Sequence, residues 1–543
     1  MSPPPRRSIR QARRLVAVFL LALVTGCDSR ETEPNRALDR PEAGVGRFAG
    51  DPGSPINAFD AGIAPNPVRG SHDQLTDASS QEANSLDSVV PTADGGTDAG
   101  EEATPAEDGG QARSTETAVA TRNWQSPILL ATTEGLFTGL TPVTLGPHGG
   151  ALVVWDELRA TNFSVRGRHY DGSTGVWGAS ELIGVQETTH DSVMPDLAVD
   201  GAGNAFVVWL RQSTDLDDVS AWMNFYDATQ QRWGEAGPAG SGAFGGLARV
   251  AASQAGDALV VWSEFGWLGF AMRARRYDGA RQQWLPVENI SAPGQIGGAI
   301  PALDRDGNAL VVWASGNGIT YSVWAMRYDA PAGRWTAPRR LSPESKFAAP
   351  SAIAFSDSGV GIAAWQQQEG KAQTIWASSY HADDDTWSAP VRLGGDRGIS
   401  LEPQVAVDES GNAMVAWLTV DERQSAVWTN RYLAAQDTWE GPQLMQSDKA
   451  ETAEFSRPRL GAARDGSGIV VWGRLDNLLS ETRRFTLWTR HYDPAEGLWH
   501  PAATIADEDS KDLLSPPALA VAPNGDAVAV WNNEGRVSAC HYR

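Results

Sequence analysis

Cysteine is nearly absent from this chain of 543 residues, which has only Cys27 and Cys540. Two cysteines can form one disulfide at most, so cross-links cannot be the framework of the fold. Long apolar runs are missing too: the run at residues 15–25 has eleven residues, too few for a helix that crosses a bilayer. Positive charge is scarce, and the formal net charge of −23 argues against nucleic acid or anionic lipid as a partner.

The first 27 residues have the organisation of an export signal. Five arginines precede the apolar run LVAVFLLALVT, whose end overlaps the sequence LVTGC at residues 23–27. LVTGC resembles the lipobox of bacterial lipoproteins, a family in which the chain is cut before the cysteine and lipid is attached to it. The resemblance implies that Cys27 is lipidated; an ordinary secretory signal with a chance cysteine is the alternative. Cys540 is then the only thiol left, and we expect it to be a small buried side chain.

Residues 28–120 have a different composition from the rest of the chain. They contain 18 acidic residues, 6 arginines and two phenylalanines, and neither tryptophan nor tyrosine. Such a segment cannot bury enough apolar surface to offset the entropy of ordering its backbone. We therefore predict a disordered acidic tether, whose ends would lie about 50–60 Å apart on average.

All 22 tryptophans and nine tyrosines fall after residue 120, and most of them recur at intervals of about 53 residues. One tryptophan ends the ALVVW-like segment of each of eight repeats, and a second follows a tyrosine by seven residues. We read four strands in each repeat, named A to D. A glycine six residues before the first tryptophan marks the A–B turn, strand B is apolar at every position, and a C–D hairpin joins the tyrosine to the second tryptophan. We expect all sixteen of these tryptophans to be core residues.

A four-stranded sheet that is buried on both faces needs a neighbour on each side, and radial stacking of eight sheets supplies them. The domain begins with an unpaired strand D, NWQSPILL, and ends after a strand C, SACHYR, so the first strand can complete the last sheet. The sequence therefore predicts an all-β fold over residues 121–543, an eight-bladed β-propeller closed by its N- and C-terminal strands.

In architecture, residues 121–543 resemble eight-bladed propeller lipoproteins and, more loosely, sialidase-like and quinoprotein-like propellers. The segments YDGSTGVW and YDAPAGRW occupy the place of the sialidase Asp-box, S-x-D-x-G-x-x-W, without matching it. Sialidase chemistry would need an arginine cluster, a tyrosine nucleophile and an acid. The arginines mostly repeat with the other repeated positions, and Tyr321 is the one tyrosine outside them.

Motifs that carry chemistry are also missing: GxSxG, the P-loop and HExxH do not occur. His169, His491 and His541 precede the tyrosine in three repeats, but we expect equivalent positions of neighbouring repeats to lie too far apart for one metal. Asp304, Asp306 and Asn308 begin like a calcium loop, but the glycine is misplaced and no glutamate closes it, which favours a plain turn. We predict no metal site, no cofactor and no enzymatic activity.

The A–B and C–D turns are short and constant, and we call the side of the domain that carries them the uniform face. The B–C and D–A connections vary in length, and we call their side the variable face, because binding sites usually lie on variable loops. Both chain ends fall on the uniform face, so the variable face can point away from the membrane. On the variable face, Phe265, Trp267 and Phe270 could form an aromatic platform; a loop folded back over the core is the alternative.

Together these features predict a lipoprotein signal at residues 1–27, a tether at 28–120 and a propeller at 121–543. We expect a monomeric, non-catalytic binding or scaffold module of the bacterial cell envelope, anchored through Cys27 in the outer membrane or at the cell surface rather than in the inner membrane. A protein bound at the variable face is the favoured partner. A lectin-like carbohydrate-binding module is the alternative, and a sialidase-like glycoside hydrolase is a distant third.

Overall fold

The computed structural model describes residues 122–132, 141–159, 162–213, 218–240, 247–266, 269–291, 295–395, 398–478, 480, 483–510 and 515–543. Within these ranges the chain forms forty β-strands and two single-turn 3-10 helices, Pro147–Gly149 and Ala434–Gln436. The described part contains no helix with the length and apolarity needed to cross a membrane. The predicted signal (1–27) and tether (28–120) lie outside the described residues.

The strands form successive antiparallel sheets, numbered here in chain order, and the first half of the chain builds four of them after strand β1 (Ile128–Thr132). Sheet 1 has β2 (Val143–Leu145), β3 (Ala151–Arg159), β4 (Asn162–Asp171), β5 (Val176–Trp177) and β6 (Glu181–Leu182). Sheet 2 has β7 (His190–Val199), β8 (Ala205–Ser213), β9 (Val219–Asp227), β10 (Arg232–Trp233) and β11 (Gly237–Pro238). Sheet 3 has β12 (Arg249–Ala252), β13 (Ala258–Gly266), β14 (Gly269–Asp278), β15 (Gln283–Trp284) and β16 (Glu288–Asn289). Sheet 4 has β17 (Gln295–Leu303), β18 (Ala309–Gly316), β19 (Tyr321–Asp329), β20 (Arg334–Trp335) and β21 (Arg339–Arg340).

The second half repeats the same order, and one parallel pair, Gln373 with Ile399, joins sheets 5 and 6 into a continuous sheet. Sheet 5 has β22 (Ala348–Phe355), β23 (Val360–Glu369), β24 (Ala372–His381), β25 (Thr386–Trp387) and β26 (Val391–Gly394). Sheet 6 has β27 (Ile399–Val407), β28 (Ala413–Val420), β29 (Gln424–Leu433), β30 (Thr438–Trp439) and β31 (Gln443–Lys449). Sheet 7 has β32 (Ala453–Phe455), β33 (Arg459–Ala462), β34 (Gly468–Asp476), β35 (Arg483–Asp493), β36 (Leu498–Trp499) and β37 (Ala503–Ser510). Sheet 8 has β38 (Ala518–Val521), β39 (Ala527–Asn533) and β40 (Arg536–Tyr542), and β1 pairs with β40 as its fourth strand.

The two constant turns adopt the backbone conformation that their residues predict. In every repeat the glycine of the A–B turn has a positive φ, from 72° at Gly149 to 104° at Gly256, a region that residues with a Cβ rarely occupy. In the C–D hairpins the residue five places after the tyrosine also has a positive φ, although it is not always glycine: Gly175, Gln231, Gln282, Gly333, Asp385, Asp437 and Gly497. The constant spacing from tyrosine to tryptophan thus reflects one hairpin geometry.

Apolar clusters join each sheet to the next. The strand-B tryptophans are at most 3 % exposed, and each of the eight clusters draws its residues from two sheets that follow one another. One of these clusters joins the last sheet to the first, because Val528 and Val530 of sheet 8 pack with Val153 and Trp155 of sheet 1. Burial of one tryptophan removes about 150–250 Å² from water, an upper bound of roughly 4–6 kcal/mol.

Strand A is an edge strand of its sheet, and neighbouring sheets contact each other through it. Strand A of each sheet contacts strand A of the next, from β2 through β7, β12, β17, β22, β27 and β33 to β38, and β38 contacts β2 again. The two ends of the domain meet in sheet 8, where the amide of Asn123 donates a hydrogen bond to the carbonyl of Arg543 at 2.8 Å. The structure is therefore all-β and propeller-like.

The expectation that all sixteen repeated tryptophans are core residues holds in full for ten of them. The eight on strand B are buried, and on strand D Trp177 and Trp387 are buried at 9 % and 8 % exposed. The other six strand-D tryptophans are half-buried, and each packs against a core cluster from an edge strand. The indole of Trp335, for example, donates a hydrogen bond to the Glu288 carboxylate of the preceding sheet at 2.7 Å.

Candidate functional site

The aromatic residues proposed on the variable face lie on the hairpin between β13 and β14. Phe265 pairs with Phe270 across this hairpin, and Gly266 pairs with Gly269. Trp267 lies outside the described residues, as does Cys27, and only the backbone of Phe265 is described. Phe270 is half-buried and packs against the apolar cluster between sheets 3 and 4. The aromatic platform therefore stays a prediction.

Charged side chains occupy the variable face of sheet 2. The Arg211 guanidinium contacts the carboxylate of Glu187 at 2.5 Å and that of Asp218 at 3.5 Å. The His190 ring lies between the same two carboxylates, at 3.0 and 3.5 Å. Arg211 also stacks on the ring of Trp222, with its guanidinium carbon 4.7 Å from the ring centroid. This network therefore joins two carboxylates, a guanidinium and an imidazole beside an aromatic ring.

Two strands A carry a strained residue where they enter the sheet from the variable face. Met194 and Glu402 have φ values of 56° and 36°, and each lies at a bulge in the pairing of strand A with strand B. A side chain of the preceding sheet stabilises each bulge. The Asp156 carboxylate accepts a hydrogen bond from the Met194 amide at 2.9 Å, and the Gln366 side-chain oxygen accepts one from the Glu402 amide at 3.0 Å. Such strain costs about 1–3 kcal/mol and concentrates at functional sites.

Five charged residues come together on or directly before strands A, close to these bulges; we call them the central charged cluster: Asp196, Arg249, Glu402, Arg457 and Arg459. Arg249 of sheet 3 contacts the Asp196 carboxylate of sheet 2 at 3.8 Å. Arg457 of sheet 7 contacts the Glu402 carboxylate of sheet 6 at 2.7 Å. Each carboxylate thus engages an arginine of the next sheet.

Arg459 is the arginine left over in this cluster. Its guanidinium donates a hydrogen bond to the Pro458 carbonyl at 3.3 Å, and it has no carboxylate partner among the described residues. Burial lowers the pKa of Arg459 from its ordinary value, Glu402 raises it, and the positive charges of Arg457 and Arg249 lower it further. Among the described contacts, two of the three arginines are paired with a carboxylate, and burial disfavours the charge of the third, Arg459.

The sequence interpretation missed this cluster, since it took the arginines to follow the repeat. A signal exists thirteen residues before each strand-B tryptophan, where the eight repeats have Pro142, Asp196, Arg249, Ile300, Ala352, Gln404, Arg459 and Ala518. In the structure, these residues pair with the residue that precedes the tryptophan, on the innermost strand. A charged residue at a strand-A position that in the other repeats holds Pro, Ile, Ala or Gln was the signal.

Two of the three histidines before the repeated tyrosines, His169 and His541, pack against a tyrosine of the next sheet. The His541 ring stacks on Tyr170 of sheet 1 at 4.1 Å between centroids, and the His169 ring stacks on Tyr226 of sheet 2 at 4.3 Å. Burial lowers the pKa of His169 and lowers that of His541 to about 4. Within the described residues these rings form no shared ligand set, whereas one ligand atom from each of Asp493, Glu496 and His500, on the C–D hairpin of sheet 7, lies within 4.8 Å of the others.

Two carboxylates beneath the variable face have structural contacts. Asp156 and Glu157 are buried beneath the variable face. The Glu157 carboxylate accepts a hydrogen bond from the Trp155 indole at 3.2 Å and forms an ion pair with Arg166 at 3.3 Å. Tyr321 packs against the apolar cluster between sheets 4 and 5 and is not a member of the central charged cluster. The central charged cluster thus combines arginines and carboxylates without a tyrosine among its described members.

No protein-family model and no curated protein matches this sequence. Among solved structures, similarity is loose. A protein of unknown function from Dyadobacter fermentans is 11% identical, with 56% of this chain and 96% of that chain covered and a TM-score of 0.37. The NanB sialidase from Streptococcus pneumoniae is 8% identical over 65% of this chain and 68% of that chain, with a TM-score of 0.36. An ulvan lyase of polysaccharide lyase family PL25 is 9% identical over 61% and 89%, with a TM-score of 0.39. These likenesses are too weak to carry an argument about activity.

Proposed function

We propose that the chain is a membrane-anchored, non-catalytic binding module of the bacterial cell envelope, built on a closed eight-bladed β-propeller. Three observations support the architecture: the eight sheets, the return contact from β38 to β2, and the pairing of β1 with β40. In this reading, each sheet is a blade, and strand A of every blade lines the centre of the ring.

The anchor is lipid on Cys27, at the outer membrane or the cell surface, joined to the propeller by the acidic tether. The ends of the described domain support the orientation. Arg122 contacts Asp526 in the A–B turn of sheet 8 at 3.4 Å, and Arg543 donates to the Gly149 carbonyl of the A–B turn of sheet 1 at 3.2 Å. Both ends thus lie on the uniform face, so the tether leaves from there and the variable face is presented to a partner.

The partner is a protein that places an acidic group at the central charged cluster. The observation that carries this proposal is Arg459, a poorly solvated guanidinium without a carboxylate among the described residues, held beside Arg249 and Arg457. A carboxylate from a partner would neutralise the surplus charge through a charge-assisted hydrogen bond. Arg459 opens strand A of sheet 7 on the side away from the A–B turn, and is therefore reached from the variable face.

The lectin-like module remains the second candidate, because the β13–β14 hairpin brings Phe265 and Phe270 opposite each other on the variable face. An acidic sugar could use the central arginines in the same way as an acidic peptide. The hydrolase remains third, since Tyr321 is packed elsewhere.

Cross-linking in cells tests the proposal. A photoreactive amino acid replaces Ile399, which lies on the variable face at the start of strand A of sheet 6, or Leu498, on the uniform face of sheet 7. The two side chains are matched in exposure at 44% and 46%. We expect protein adducts from Ile399 and not from Leu498, and Arg459→Gln in the Ile399 background should reduce them about tenfold or more.

Adducts from Leu498 alone, or adducts that survive Arg459→Gln, would contradict the proposal. If the Ile399 probe forms no protein adduct while the chain binds a glycan array in a way that Trp267→Ala abolishes, the lectin reading replaces it. Turnover of any glycan on that array would revive the hydrolase.

A further inference from the structure

We propose that Asp493, Glu496 and His500 form a binding site for a divalent transition-metal ion, with Zn²⁺ as the best match. The three residues lie on the C–D hairpin that joins β35 to β36 in sheet 7, on the uniform face. The site is separate from the central charged cluster, and it does not depend on the function proposed above.

The ligand atoms already converge. His500 Nε2 lies 3.6 Å from a Glu496 carboxylate oxygen and 3.9 Å from Asp493 Oδ2, and one atom from each of the three residues lies within 4.8 Å of the others. Zinc binds imidazole nitrogen and carboxylate oxygen at about 2.0–2.2 Å, so its ligands stand about 3.3 Å apart in a tetrahedron. Small side-chain rotations close that difference.

The hairpin holds the three ligands in place through its backbone. Asp493 Oδ1 accepts hydrogen bonds from the amides of Ala495 and Glu496 at 2.8 and 3.4 Å. These bonds orient the carboxylate, and its other oxygen, Oδ2, lies on the side of His500. The amide of His500 donates to the His491 carbonyl at 2.8 Å, directly after the pairing of Trp499 with Tyr492. Because one short segment supplies all three ligands, little order has to be created when the ion binds.

Only the hairpin of sheet 7 has this ligand combination. The positions four and eight residues after the repeated tyrosine hold Glu496 and His500 here, and the pairs Thr174 and Gly178, Gln230 and Gly234, Arg281 and Leu285, Ala332 and Thr336, Asp384 and Ser388, and Gln436 and Glu440 in the other six complete hairpins. The shared turn explains the aspartate that caps it, but it does not explain the glutamate and the histidine.

A second histidine also lies beside two carboxylates, but there an arginine neutralises them. His190 lies beside Glu187 and Asp218 on the variable face, but Arg211 already binds both of those carboxylates. A fixed positive charge there competes with any cation. Around His500, the described contacts supply two carboxylates and no arginine, so the negative charge is available to an ion.

One nitrogen and two oxygen ligands suit Zn²⁺, Co²⁺ or Ni²⁺ better than Ca²⁺ or Mg²⁺, which take oxygen ligands alone. Three protein ligands leave at least one position for water or for a ligand from another molecule. The ligands are between one third and just over one half exposed, so the ion exchanges with solvent.

Titration of the full-length chain in detergent with Zn²⁺, followed by calorimetry, tests the site, and Co²⁺ absorption reports its coordination. The variants are His500→Ala and Glu496→Gln, with His190→Ala as the matched control on the other face. We expect one tight equivalent in the unchanged chain and in the control. Affinity should fall about tenfold or more in His500→Ala and Glu496→Gln, because each loses a ligand.

X-ray absorption at the zinc edge should show one imidazole among oxygen ligands. Circular dichroism of each variant shows that it remains folded, as expected for substitutions at an exposed hairpin. An isotherm that His500→Ala leaves unchanged would overturn the proposal, as would loss of the tight equivalent in His190→Ala, or Zn²⁺ binding in many weak equivalents such as the acidic tether alone would give.

Discussion

Gly394 is the position where the packing between sheets can be tested most directly. It ends β26 in sheet 5, and a Cβ placed on it would lie 2.6 Å from Cζ2 of Trp417, the buried strand-B tryptophan of sheet 6. Trp417 is 1 % exposed and is held by the apolar cluster between these sheets. Gly394→Ala therefore forces either the tryptophan ring or the sheet edge to move.

The magnitude follows from two opposing effects. Overpacking of a dense interior costs about 1–3 kcal/mol, whereas replacing glycine by alanine gains about 0.4–1 kcal/mol through the unfolded chain. We expect Gly394→Ala to lower the free energy of unfolding by about 1–2 kcal/mol. Trp417→Phe removes the second ring, and with it the atom that clashes, so it should destabilise the chain alone but recover about 1–2 kcal/mol of the Gly394→Ala cost in the double variant.

Urea unfolding, followed by far-ultraviolet circular dichroism, measures all four members of this cycle. Gly237→Ala is the matched control, because Gly237 is also a strand-D glycine and nothing lies within 4 Å of its Cβ position. The control should be neutral or slightly stabilising. If Gly394→Ala is as harmless as Gly237→Ala, or if its cost simply adds to that of Trp417→Phe, then the tryptophan does not fill the space that the structure assigns to it.

Two titratable residues near the ends of the domain give further predictions. Burial lowers the pKa of His541 to about 4, so the free energy of unfolding should fall as the pH drops from about 6.5 to 4, by at most about 3 kcal/mol. His541→Gln should flatten this part of the pH profile of urea unfolding, and an unchanged profile would contradict the assignment. Burial raises the pKa of Cys540 to about 12, and its thiol donates to the Gln125 carbonyl at 2.6 Å. In a Cys27→Ser chain, Cys540 should react with a thiol reagent only on unfolding, whereas rapid labelling of the folded chain would refute its burial.

The repeat was predictable because its signals are local. The A–B glycines, the apolar strand B and the seven-residue spacing in the C–D hairpins each depend on a few neighbouring residues, and their positive φ values and burial follow from that spacing. The exposure of strand-D rings was not predictable in this way. Trp335 lies on an outer strand and bonds to Glu288, and a spacing alone does not show which side of a ring meets solvent.

The central charged cluster depends on contacts between distant parts of the chain. Arg249 and Arg459 are 210 residues apart, and only the order of the sheets and the register of strand A bring their charges near each other. The ligands around His500, in contrast, lie within eight residues. They were missed because the hairpins were taken as uniform, so the residues in which one hairpin departs from the others received no weight.

The pairing of β1 with β40 has a kinetic consequence. Ile128 pairs with Ala539, 411 residues later. Strand β1 is synthesised first, so it cannot pair until nearly the whole domain has been synthesised. Loop closure over that length costs roughly 5 kcal/mol in chain entropy beyond a constant, and the β1–β40 pairing together with the burial of residues such as Leu130 and Val530 offsets it. Folding should therefore be slow in its final step, with the edges of sheets 1 and 8 open to misplaced pairing until then. Once formed, the same long-range pairing has to break before sheets 1 and 8 can separate, so the unfolding rate of the domain should be low.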